Sequence, residues 1–164
     1  MISGKTIHIV DTSILLVVLN VQEHYTEEQR VETTTRLKQF YENGDDLLLP
    51  IGCIIETGNR IADSKNGKRH PTIKRFLNLI KSAIDRSRNI EDRSKGPFCV
   101  MQCNTDELSA MIADFESLAL VGTGMADTMC IHYFNEQRVS FPDHRVTIWS
   151  YDQDHLDGYD THPD

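Results

Sequence analysis

The chain has no uninterrupted apolar run near the ~18–20 residues that a membrane-spanning helix needs, so no membrane span is expected. Its four cysteines, Cys53, Cys99, Cys103 and Cys130, form no CxxC pair. Cys99 and Cys103 stand four apart, but no second pair sits at finger spacing, which removes the usual structural zinc module. Reduced thiols are therefore expected. The amino terminus lacks a basic segment leading into an uncharged apolar core, which predicts a cytoplasmic rather than a secreted protein. Positive charge is in deficit: 17 Lys and Arg face 25 Asp and Glu, a net charge of −8. That balance argues against a general nucleic-acid coat. Internal repeats and low-complexity segments are also absent.

What is present suits one globular domain. In 164 residues, 39% are hydrophobic and 26% charged, enough to bury a real core. Apolar strand-like runs alternate with helical ones. Lys5–Val10 reads as a short buried strand, Leu47–Leu49 as a second, Phe98–Met101 as a third and Val146–Trp149 as a fourth. Helical patterns fill the intervals: Thr26–Tyr41 with a sparse stripe of Val31, Leu37 and Phe40; Ile51–Asp63; a helix opened by Pro71 and running to Arg88; one capped by Asn104 or Thr105; and Met125–Gln137. Ser64–His70 reads as a charged loop and the carboxy-terminal residues 160–164 as a frayed tail. Strands alternating with helices predict an α/β fold: a three-layer α/β/α sandwich whose central, mostly parallel sheet is flanked by helices.

Four acids stand out in this frame: Asp11, Glu56, Asp127 and Asp152. Asp11 interrupts the apolar run Ile7–Val18, where a charge is expensive unless paired, hydrated at a cleft or bound to metal. Asp11 and Asp152 both fall just after expected strands, on the carboxyl edge where α/β sheets bind ligands. Asp127 lies in the first turn of a helix that Met125, Met129, Ile131, Tyr133 and Phe134 make apolar nearly all round. Each has a plainer reading. Asp11 could cap the next helix, and Asp127 could answer its helix dipole. Asp152 competes with Asp154 and Asp157 in one acidic turn. Periodicity puts Glu56 with Gly52, Asn59, Arg60 and Asp63 on a polar face, as a solvated glutamate. The basic residues are uneven as well, with 11 of the 17 between Arg60 and Lys95. They read either as a solvated surface or as a surface for a polyphosphate chain.

The motifs resemble the PIN-domain family of nucleases, in order and over nearly the whole chain. Ile7-His8-Ile9-Val10-Asp11-Thr12-Ser13 resembles the family's first strand ending in Asp followed by Thr or Ser. Cys53-Ile54-Ile55-Glu56 resembles the helix carrying its characteristic acid. Gly124-Met125-Ala126-Asp127 with Thr128-Met129-Cys130-Ile131 resembles its third motif, and Ile148-Trp149-Ser150-Tyr151-Asp152 its last, with Ser150 in place of the usual Thr. The gap of 71 residues between Glu56 and Asp127 is long for the compact toxin members of that family. The resemblance therefore implies a single domain over 1–159 with a helical, basic insertion around 64–98.

Hydrolysis of a phosphodiester needs an activated water and a stabilised leaving oxygen, which one or two Mg²⁺ or Mn²⁺ ions held by carboxylates can supply. The resemblance implies a metal-dependent endoribonuclease with Asp11, Glu56, Asp127 and Asp152 as its catalytic and metal-binding residues. Thr12, Ser13 and Ser150 would hold carboxylates or waters. Arg60, Lys65, Lys68 and Arg69 are candidates for substrate phosphate, with an ion pair to Asp63 the alternative for Arg60. RNA is the expected substrate, a cognate antitoxin and a homodimer are expected partners, and a catalytically silent scaffold binding protein or RNA is the alternative. A phosphohydrolase using Asp11 as nucleophile is disfavoured, since those families carry a second Asp where this chain has Ser13.

Overall fold

The computed structural model describes residues 4–65 and 69–161. Five strands form one sheet in the order β3-β2-β1-β4-β5, where β1 is Thr6–Val10, β2 Asp46–Leu49, β3 Phe98–Val100, β4 Arg145–Trp149 and β5 Asp160–Thr161. The first four are parallel, with β1 between β2 and β4; Ile9 pairs with Leu48 on one side and Ile148 on the other. β5 pairs antiparallel with β4, so the end expected to fray contributes Asp160 and Thr161 to the sheet edge. Residues 162–164 lie outside the described residues.

Among the described residues six α-helices connect these strands: α1 (Thr12–Val18), α2 (Glu27–Asn43), α3 (Ile51–Asp63), α4 (Arg69–Arg88), α5 (Thr105–Leu120) and α6 (Met125–Ser140). Local chemistry sets most of their ends. Thr26 and Gln29 close a capping box on α2, Asn104 and Glu107 another on α5. α2 stops at Gly44, whose φ of +80° is the left-handed cap that glycine adopts without strain. Pro71 falls in the first turn of α4, where its missing N–H is not needed, two residues after that helix begins.

The chain moves from β1 to β2 to β3 and then doubles back to β4. With helices flanking this mostly parallel sheet on both sides, the molecule has three α/β/α layers. The direction reverses between β1 and β4, and this switch point opens a crevice above their carboxyl ends. Phe40 of α2 stacks on His8 at 3.8 Å and meets Trp149 edge-on at 5.0 Å. His8 is a core histidine with both ring nitrogens occupied, by Thr147 Oγ1 at 2.9 Å and Asp45 Oδ2 at 3.3 Å. Of the stripe expected on α2, Leu37 and Phe40 pack against the core, but Val31 is exposed and the fully buried residue is Thr33.

The stretch expected as an insertion is woven into this scaffold. Its helix α4 is the crossover to β3, and the backbone N–H of Val100 on β3 donates to Ser87 Oγ at 2.7 Å. Among the described residues no helix is long and apolar enough to cross a membrane.

Candidate metal centre

Asp11 directly follows β1 and caps α1, the plainer of its two readings, and it also lines the cleft formed there. Its Oδ2 accepts from the Ser13 backbone N–H at 3.2 Å, from Ser13 Oγ at 2.7 Å and from Ser150 Oγ at 2.8 Å. The Ser13 hydroxyl in turn accepts from the Tyr151 N–H at 2.9 Å, and Ser150 Oγ from the Asp152 N–H at 2.8 Å. Two hydroxyls thus tie the end of β1 to the turn after β4 and fix Asp11 with three donors on one oxygen. Oδ1 takes no hydrogen bond among the described residues. The side chain is only 3% exposed, yet it lines the floor of an open cleft of about 950 Å³.

Glu56 reaches that cleft from α3. Thr12 Oγ1 donates to its Oε2 at 3.1 Å, and Arg60 Nη2 pairs with its Oε1 at 3.4 Å. The fully buried stripe of α3 is Cys53, Thr57 and Ile61, with Ile51 and Ile54 packed partly buried against the core and Ile55 59% exposed. Gly52, Glu56, Asn59 and Arg60, grouped by periodicity as a solvated face, instead form one wall of the cleft. Gly52 makes this possible. A Cβ there would lie 2.6 Å from Met129 Sδ and 3.2 Å from the Ala126 backbone, so α3 and α6 cross at a distance only glycine allows.

Asp127, in the first turn of α6, faces Glu56 across that crossing. It accepts a hydrogen bond from the Gly124 backbone, but burial and then the charges of Asp11, Asp152 and Glu56 push its pKa up to about 6. Asp152 completes the set. Its Oδ1 accepts from the N–H groups of Asp154 at 2.8 Å and His155 at 3.1 Å. Asp154 therefore positions Asp152 through its backbone and does not take its place; its own side chain is not part of the cleft lining.

All four acids line one cleft, each delivered by a different segment. The set is oxygen-only and anionic, which is the donor chemistry hard divalent cations take, and among the described residues Arg60 is the one lysine or arginine in the lining. The other expected phosphate contacts do not join it. Arg69 is held by the Ser64 carbonyl, Lys65 is outside the lining, and Lys68 lies outside the described residues. The expected pairing of Arg60 with Asp63 is replaced by the pair with Glu56.

Much of the basic stretch is structural. Arg75 Nε donates to the Leu19 carbonyl at 3.0 Å, and fully buried Arg86 pairs with Asp46 at 2.7 Å. Arg93 donates to the carbonyls of Tyr41, Gly44 and Asp45. The sequence reading missed the rest of the lining: His24 at the rim and an apolar side including Ile51, Ile55, Cys103, Leu108 and Met125. His24 sits in a short turn with no motif to mark it. Leu108 belongs to a helix that topology, not sequence proximity, brings over the site. No family model matches the chain, and no curated protein or solved structure matches it significantly.

Proposed function

We propose that this chain is a metal-dependent nuclease that hydrolyses RNA phosphodiester bonds, of the PIN type its motifs resemble. The supporting observation is the convergence of Asp11, Glu56, Asp127 and Asp152 on one open cleft at the sheet's switch point. The preference for RNA comes from the resemblance alone. The four carboxylates fit a hard cation, because they place like charges close enough to hold one of themselves partly protonated. A bound Mg²⁺ or Mn²⁺ supplies the charge that polarises a phosphodiester and lowers the pKa of a coordinated water.

Asp11 and Asp127 are the principal ligands in this reading, with Asp152 binding directly or through water. Glu56, fixed by Thr12, is a further ligand or orients the attacking water. Ser13 and Ser150 hold Asp11 in one rotamer, so its free Oδ1 is presented without reorganisation. Arg60 exchanges its surface pair with Glu56 for a substrate phosphate at little cost, since exposed pairs contribute ~1 kcal/mol or less. The apolar side of the cleft accepts unstacked bases, which suits a single strand better than a duplex.

The test is incubation of purified protein with single-stranded RNA and Mn²⁺, beside Asp11→Asn. Cleavage by the wild type that is lost in the variant and on chelation is expected. Equal cleavage by both contradicts the site, and equal inertness favours the silent-scaffold alternative.

A further inference from the structure

The nuclease reading leaves unused a pair of thiols directly beneath the acids. Cys53 Sγ and Cys130 Sγ are 3.4 Å apart and fully buried. Together with an Asp11 carboxylate oxygen they form a group of three donors, all within 4.8 Å of one another. Cys53 lies one turn before Glu56 on α3, and Cys130 one turn after Asp127 on α6. The thiols thus meet on the inner side of the same close helix crossing that brings the carboxylates together.

We propose that Cys53, Cys130 and Asp11 form a second, softer metal site that takes Zn²⁺ and shares Asp11 with the hard-cation site above it. The spacing favours metal over a disulfide. Tetrahedral Zn²⁺ with Zn–S of ~2.3 Å holds two thiolates roughly 3.7–3.8 Å apart, so the sulfurs need to part by only a few tenths of an ångström. A disulfide demands closure to ~2.05 Å, on helices that already touch at Gly52. Two thiolates and one carboxylate are a donor set zinc takes and Mg²⁺ does not.

A second observation points to the same class of ion. Cys103, Met125 and Met129 line the same cleft as Asp11, so three more sulfur-bearing side chains stand beside the shared carboxylate. Asp11 belongs to both the cleft and the thiol group and provides the point of entry. The site stands on donor geometry and does not require the nuclease reading; a soft-metal spectrum from a protein inert toward RNA still supports it.

The test is titration of the reduced full chain with Co²⁺ as the spectroscopic stand-in for Zn²⁺. Expected are an intense ultraviolet thiolate-to-metal charge-transfer band and the visible bands of tetrahedral Co²⁺, saturating at one equivalent and removed by Zn²⁺. Cys53→Ser and Cys130→Ser lose the charge-transfer band; Cys99→Ser, whose thiol belongs to β3, keeps it. Because serine at a buried site can prevent folding, zinc-edge X-ray absorption on the wild type gives an independent reading: two sulfur scatterers at ~2.3 Å. A shell of oxygen and nitrogen alone overturns the proposal, as does a charge-transfer band that survives loss of both thiols.

Discussion

Asp127 is where the metal-free site is least comfortable. Its folded pKa of about 6 stands above the ordinary carboxylate value near ~4. A raised folded pKa means a stability contribution that is full below the unfolded value and lost as pH rises through the folded one. In chelator, the wild type should therefore lose about 1–2 kcal/mol between roughly pH 4 and pH 7, allowing for solvent screening, while Asp127→Asn does not. Melting curves at the two pH values check this; a parallel response in both proteins contradicts it. Residue by residue, the site was readable where a charge broke a pattern. Asp11 interrupts an apolar run and Asp127 an apolar helix, and both sit in the cleft. Glu56 breaks no pattern, because the face it shares with Asn59 and Arg60 has the same periodicity whether it meets solvent or a cleft. His24 breaks none either.

At the scale of the elements, the crossing of α3 over α6 aligns Glu56 with Asp127. Gly52→Ala places a methyl 3.2 Å from the Ala126 backbone, where no flexible side chain can yield, and also against Met129 Sδ, which can. The variant should lose about 1–3 kcal/mol in urea unfolding and, beyond that, bind Mn²⁺ more weakly. Unchanged Mn²⁺ affinity in a folded variant would separate the crossing from the site. A second staple lies at the far end of the sheet. Arg86 of α4 is fully buried, paired with Asp46 at the start of β2 and donating to the Pro97 carbonyl just before β3. Arg86→Met should destabilise by about 3 kcal/mol, the lower end for breaking a buried pair, because Lys5 at 2.7 Å and Arg93 at 3.9 Å still face Asp46. Denaturant midpoints decide it, and a loss below ~1 kcal/mol contradicts a structural role. Helix starts were legible in sequence because caps are local chemistry, as at Thr26 and Asn104. The use of the basic stretch was not: nothing local distinguishes an arginine that clamps carbonyls from one that waits for phosphate.

Over the whole molecule, the parallel order β3-β2-β1-β4 and its reversal at β1 bring residues 11 and 152 to one edge and bend α6 back over them. The placement of Asp11 and Asp152 on the carboxyl edge follows from alternating strands and helices, and so was readable in advance; the strand order was not. The strand β5 was not, because two polar residues carry no strand pattern. A protein of net charge −8 with Arg60 as the one lysine or arginine among the described residues of its cleft has little with which to hold a polyanion unaided. RNA binding should accordingly require divalent metal. Its salt dependence should be shallow, a log–log slope of about −1 to −2, since single strands contribute roughly −0.7 per neutralised phosphate. Binding without metal, or a slope several times steeper, would locate the RNA on another surface. The central claim is that four carboxylates from four segments make one metal site. The direct test is thermal melting with and without Mn²⁺ for the wild type, Asp11→Asn, Glu56→Gln, Asp127→Asn and Asp152→Asn. The account predicts a metal-induced rise in the wild type that each substitution diminishes, with Asp127→Asn melting above the wild type when metal is absent. An equal response to Mn²⁺ in all five proteins would contradict it.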